Sequence, residues 1–131
     1  MTPRDQVKLL LDKARQDEAL VDEVLGAPHI SDEIVGFHCQ QAAEKLLKAL
    51  LTACGVAYER THNLRRLTDL LSDAGQTIPR ELQDIDSLTP FAVLLRYIAP
   101  GPSAPLDRPV AREMVRTLRT WVESELRKTG V

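Results

Sequence analysis

The sequence predicts an all-α fold, an antiparallel, up-and-down helical bundle of about five helices, on three observations. Apolar residues recur at the 3.6-residue period along most of the chain, and no segment alternates with period two. Glycine and proline cut that pattern into helix-sized lengths. Aromatics make up only 4% of a chain that is 44% apolar, so the core must come from Leu, Val, Ile and Ala, a composition suited to helix-on-helix packing. At 131 residues the whole chain, 1–131, is expected to form a single domain with its own core.

The first helix is expected from Pro3 to Leu25. Thr2 is placed to cap it, Pro3 suits the first helical position and Asp5 favours the positive end of the dipole. Val7, Leu10, Leu11, Ala14, Val21, Val24 and Leu25 mark its buried side, while Asp17, Glu18, Asp22 and Glu23 are expected to face water. Gly26-Ala27-Pro28 ends it. Ser31 caps a second helix, with Asp32 and Glu33 in its first turn, that runs to Cys54 and stops at Gly55. Gly36 weakens this helix unless a neighbouring backbone comes close there.

After the connector Tyr58–Asn63, Thr61 or His62 opens a short third helix to Ala74, with Leu64, Leu67, Leu70 and Leu71 as its apolar stripe. Gly75 to Pro79 is a turn. A fourth helical region is expected from Pro79 to Tyr97, broken at Thr89-Pro90, with burial from Leu82, Ile85, Leu88, Phe91, Val93, Leu94 and Leu95. The Pro/Gly-rich stretch Ala99–Pro105 is a loop. The last helix starts near Asp107 and ends at Lys128, with Val110, Met114, Leu118, Trp121, Val122 and Leu126 facing the core. Arg108, Arg112, Arg116 and Arg119 form a basic stripe on its other side. That stripe reads as a solvated face, although an acidic partner or RNA would also fit it.

Bulk properties narrow the chemistry. A formal net charge of −2 argues against a binder that relies on neutralising many phosphates. Cys39 and Cys54 lie 15 positions apart on one predicted helix, about 22 Å along its axis, beyond disulfide reach. Both are expected as buried packing residues, since neither has an arranged base nearby. Two cysteines and three histidines show no metal-ligand spacing, so neither metal nor cofactor is expected. With no signal peptide and no spanning apolar run, the chain reads as cytoplasmic, with no membrane contact.

The second helix carries the most informative pattern. His38, Gln41, Glu44, Lys45, Lys48 and Thr52 fall within an arc of roughly 120°, opposite an apolar arc of roughly 200°. Such a face fits two roles. Lys45 and Lys48 could meet phosphates, with Gln41 and His38 as hydrogen-bond donors. Alternatively the stripe is a polar seam between helices or protomers. Glu44 and Lys48 form a favourable i,i+4 pair. His62 either serves chemistry or belongs to a Thr61-His62-Asn63 cap. Arg96, followed by Tyr97, is placed either to pair with Glu44 or to bind phosphate.

Three segments together resemble a known family. Phe37-His38-Cys39-Gln40-Gln41-Ala42-Ala43-Glu44-Lys45-Leu46-Leu47-Lys48-Ala49-Leu50 resembles the second-helix signature of HEPN domains (higher eukaryotes and prokaryotes nucleotide-binding). Arg60-Thr61-His62-Asn63-Leu64, followed by Leu67, is similar to the family's third-helix start. Leu95-Arg96-Tyr97 resembles its Arg-Tyr-Pro element. The motifs occur in the family's order, and the likeness spans roughly residues 5 to 125.

The resemblance implies a small helical bundle that commonly forms a homodimer. Relatives are often encoded beside a minimal nucleotidyltransferase, as a two-component complex or toxin–antitoxin pair. Many are ribonucleases whose Arg-x(4–6)-His motif, near the last helices, builds a composite site from two protomers. Here no arginine lies five to seven positions before His29, His38 or His62, and no histidine follows His62. Cleavage by 2′-hydroxyl attack needs a positioned base and a cation for the developing charge. No catalytic residue is therefore assigned.

The expected role is a non-catalytic, nucleotide- or substrate-binding partner of a minimal nucleotidyltransferase. Its ligand or interface face would comprise His38, Gln41, Glu44, Lys45, Lys48, His62, Arg96 and Tyr97, with RNA a lesser expectation. A divergent metal-independent ribonuclease toxin and a stand-alone nucleotide sensor are the alternatives.

Overall fold

In α1 (Pro3–Val24) the first turn is closed from both sides. Thr2 Oγ1 accepts from the Asp5 backbone N–H at 3.1 Å, and the Asp5 carboxylate accepts from the Thr2 N–H at 3.1 Å. This reciprocal box satisfies two amide donors that a helix otherwise leaves open. The computed structural model describes residues 1–94 and 105–131 of the chain. Arg96, Tyr97, Leu95 and nearly all of the expected Ala99–Pro105 loop lie outside the described residues, as do the side chains of Val93 and Leu94.

Ser31 caps α2 (Asp32–Ala53), its Oγ accepting from the Ile34 N–H at 3.4 Å. In α3 (Leu64–Asp73) the cap is Asn63, whose Oδ1 accepts from the Arg66 N–H at 3.0 Å. The helix therefore opens slightly later than at Thr61 or His62, and the Thr61 hydroxyl instead accepts from the Asn63 N–H at 3.0 Å. Two further α3 donors are met from afar. Leu64 N–H reaches Thr89 Oγ1 at 3.0 Å and Arg65 N–H reaches Asp86 Oδ1 at 3.2 Å.

The fourth region differs from a helix broken once at Thr89-Pro90. It forms two 3-10 turns, Arg80–Leu82 and Ile85–Leu88, then a four-residue α4 (Phe91–Leu94). The cause lies in its spacing. Leu82, Ile85 and Leu88 recur every three residues, the period of a 3-10 helix, and all three are buried. The last helix, α5 (Arg108–Thr129), starts at Asp107, whose Oδ1 accepts from the Val110 N–H at 3.1 Å.

Among the described residues the fold is thus an all-helical bundle of five helices without a strand. None of those helices is long and apolar enough to cross a membrane. At its centre α2 packs against α1, α3, α4 and α5. Its apolar arc, including Ala42, Ala43, Leu46, Leu47, Ala49, Leu50 and Leu51, is wholly buried. Gly36 is explained by a side chain rather than a backbone, because a Cβ there would lie 2.2 Å from Cδ1 of the Phe91 ring. The missing methyl lets the aromatic ring rest on α2.

Several sequence expectations need correction. Asp17 and Glu18 are buried rather than facing water, and Val110 is exposed rather than in the core. Trp121, Met114, Leu10, Leu11, Val24 and Leu25 pack on the core but are only half-buried. Cys39 is buried as expected, whereas Cys54 is only half-buried. The arginine row of α5 is not a solvated face, since Arg112 is buried and Arg119 nearly so.

Candidate functional site: the polar stripe of α2

The stripe is occupied from within. Asp17, arriving from α1, is the acceptor at one end. His38 Nδ1 lies 2.9 Å from its Oδ1, and Lys45 Nζ donates to its Oδ2 at 2.5 Å. Glu44 is the acceptor at the other end. Its Oε1 takes Gln40 Nε2 at 3.0 Å and faces His62 Nδ1 at 2.8 Å, while Lys48 Nζ donates to its Oε2 at 3.0 Å. Each carboxylate is therefore held between one histidine and one lysine.

The expected Glu44–Lys48 pair of neighbouring turns is present. Gln40, which falls outside the stripe and is fully buried, joins the connector to α2. Its amide donates to the His62 carbonyl at 2.8 Å as well as to Glu44, and its carbonyl accepts from Gln41 at 2.8 Å. Tyr58 covers the far end. Lys48 Nζ sits 5.6 Å from the centre of its ring, within cation–π range. Thr52, the last stripe residue, donates to the Lys48 carbonyl at 2.8 Å.

Burial pushes the Glu44 carboxyl upward, but hydrogen bonds from Gln40, His62 and Lys48 outweigh it and hold the group below its ordinary range. Glu44 is thus a fixed anion. Facing that anion, His62 presents Nδ1 as a donor. Next to the stripe, burial pushes the Cys39 thiol up to about 11, a neutral packing group rather than a nucleophile.

Six of the eight positions expected in this face lie within the described residues. They fall into two hydrogen-bonded clusters along one face, His38 and Lys45 on Asp17, and Gln41, Lys48 and His62 with Gln40 around Glu44. Arg96, like the eighth position Tyr97, lies outside the described residues, and the Glu44 partners seen are Gln40, Lys48 and His62. Gln40 and Asp17 were the missed members. A signal for Asp17 exists in the sequence, because Asp17 and Glu18 fall at the i+3 and i+4 places between Ala14 and Val21, on the buried register of α1. Carboxylates at core positions announce buried partners.

Those partners, for Glu18, come from α5. Arg119 donates to Glu18 Oε2 through Nη2 at 2.6 Å and through Nε at 2.8 Å, and Arg112 reaches Glu18 Oε1 at 3.5 Å. Arg112 also grips Asp22 with two nitrogens, at 2.6 and 3.1 Å. That forked bond holds the Asp22 carboxyl below its ordinary range and raises the guanidinium in turn. Arg108 closes the α1–α2 loop. It donates to the carbonyls of Val24, Leu25, Ala27 and Ile30 and to Asp32 at 2.7 Å, satisfying acceptors that the end of α1 leaves open.

Chemically, the stripe is balanced. Lys45 and Lys48 are countered by Asp17 and Glu44, and the histidines flank the pairs. Fold and site together define a helical bundle organised by internal polar seams around a central helix. The family model of the HEPN domain matches residues 7–127, and the chain belongs to that family. No curated protein and no solved structure matches it.

Proposed function

We propose that the chain is a non-catalytic HEPN module that dimerises and serves as the binding partner of a minimal nucleotidyltransferase. The observation that carries this reading is the neutralised stripe. Both of its lysines already engage an internal carboxylate, so a phosphate arriving there must compete with Asp17 or Glu44. Absence of an Arg-x(4–6)-His motif from the sequence supports the same reading. A stripe so engaged acts as an organising seam that fixes α1 and the connector on α2, leaving outer surfaces for partners.

Co-expression with a nucleotidyltransferase reading frame adjacent to this one tests the proposal. The expected result is a stoichiometric complex on size exclusion, together with a purified chain that leaves RNA intact. Cleavage of RNA that disappears with His38→Ala would overturn it.

One observation favours a second reading, the divergent ribonuclease. His38 and His62 each present Nδ1 to a largely buried carboxylate, an arrangement that orients imidazole for proton transfer. Growth arrest on expression, relieved by the neighbouring gene, would support that alternative.

A further inference from the structure

The outer face of α5 lies outside both seams except at Arg116, which reaches Asp22 at 3.4 Å. Thr117, Thr120, Trp121 and Ser124 recur there at helical spacing and, with Pro79, line a groove of about 550 Å3. Trp121 packs on the core yet is only half-buried, so part of a large apolar ring borders this groove. Partly covered tryptophan at a groove is the residue type that anchors protein interfaces.

The charges at the two ends of the face point to what covers it. Glu113 lies seven residues before Thr120 and Arg127 seven residues after it, so the two stand about 21 Å apart along the helix. Both are exposed. Arg127 has no ion-pair partner among the described residues, whereas Glu113 meets only the exposed Arg116, at 3.3 Å. A parallel copy of this face would set like charge on like. An antiparallel copy, with a two-fold axis beside Thr120, sets each Glu113 opposite the Arg127 of the other chain. It also brings both tryptophans next to the axis, giving an apolar centre and a complementary charged rim.

We propose that this groove is a self-association surface, on which α5 of a second copy packs antiparallel about a two-fold axis beside Thr120. The inference rests on the dimeric reading above and names its interface. Only Thr120 and the rim charges need be altered to test it, and all three side chains are exposed.

Sedimentation of the full chain is the measurement. The wild type should be dimeric. Thr120→Arg, which places two guanidiniums face to face, should weaken the dimer about a hundredfold with no change in the helical circular dichroism. Glu113→Arg and Arg127→Glu should each weaken it about tenfold, and the two together should restore it to within about threefold of wild type. A monomeric wild type overturns the inference. So does a dimer that ignores Thr120→Arg and both single reversals. In that last case the dimeric partner-module reading survives, and the complex with the nucleotidyltransferase remains its separate test.

Discussion

Two polar seams run along α1, and they are built from different cations. Against α2, Asp17 meets His38 and Lys45, each with 25% of its side chain exposed. Against α5, Glu18 meets Arg112 and Arg119, with 8% and 11% exposed. Asp17 and Glu18 are adjacent in sequence, yet they point into different environments because successive helical residues diverge by about 100°. The α5 seam uses planar forks that bond two oxygens at once and keep their charge at every ordinary pH. The α2 seam uses an ammonium and a ring that can change its charge. A closed clasp and a partly open stripe thus arise from one helix.

The largest expected effect comes from breaking the clasp. Glu18→Ala leaves two shielded guanidiniums short of their shared anion and should lower stability by about 3 kcal/mol, read from urea unfolding. A loss below about 1 kcal/mol would mean that Asp22 and Glu123 suffice, and the contrast between the seams would collapse.

Glu44→Gln should follow, at about 2 kcal/mol, because the buried carboxylate loses charge-assisted bonds from Lys48 and His62. This group also sets the acid limit of the stripe. Its folded carboxyl titrates below the ordinary 4.5, so its contribution is present above that pH and is lost as pH falls through the lower folded value. Wild-type stability should therefore drop more steeply than that of Glu44→Gln as pH falls below about 4.5. Parallel profiles would remove Glu44 from the account. Asp22, lowered from 3.8 by Arg112, gives a loss of the same sign that begins at more acid pH, so acid should loosen the stripe before the clasp.

The smallest effect belongs to the open end. Asp17→Asn should reduce stability by about 1 kcal/mol, since Lys45 is partly hydrated and the amide still accepts a hydrogen bond. In thermal melts at high salt, the difference from wild type should shrink. A penalty as large as that of Glu18→Ala would show that the stripe is as closed as the clasp.

Much of this was legible in the chain. Thr2, Ser31 and Asp107 stand where the caps form, and the wide apolar arc of α2, which the structure buries at the centre of the bundle, was visible in its helical spacing. The stripe and its Glu44–Lys48 pair followed from helical spacing alone. Other features were obscured by the same reasoning. Periodicity read the α5 arginines as a solvated face because charged residues opposite an apolar arc usually meet water. It also read Pro79–Tyr97 as helix, although a repeat of three among Leu82, Ile85 and Leu88 was the sign of 3-10 turns. Gly36 looked like a weak point until Phe91 was found resting on it.

By itself, the sequence determined the helical class, most of its punctuation, the family motifs and the polar arc of α2. These depend on contacts between residues three or four positions apart, which helix geometry imposes wherever the helix lies. Only the tertiary structure decided which charges meet. Arg119 and Glu18 are 101 positions apart and His38 and Asp17 are 21 apart. Whether such groups touch depends on how each helix is rotated and shifted against its neighbour. That choice is made by packing the apolar core, and the polar side chains take the partners it leaves them.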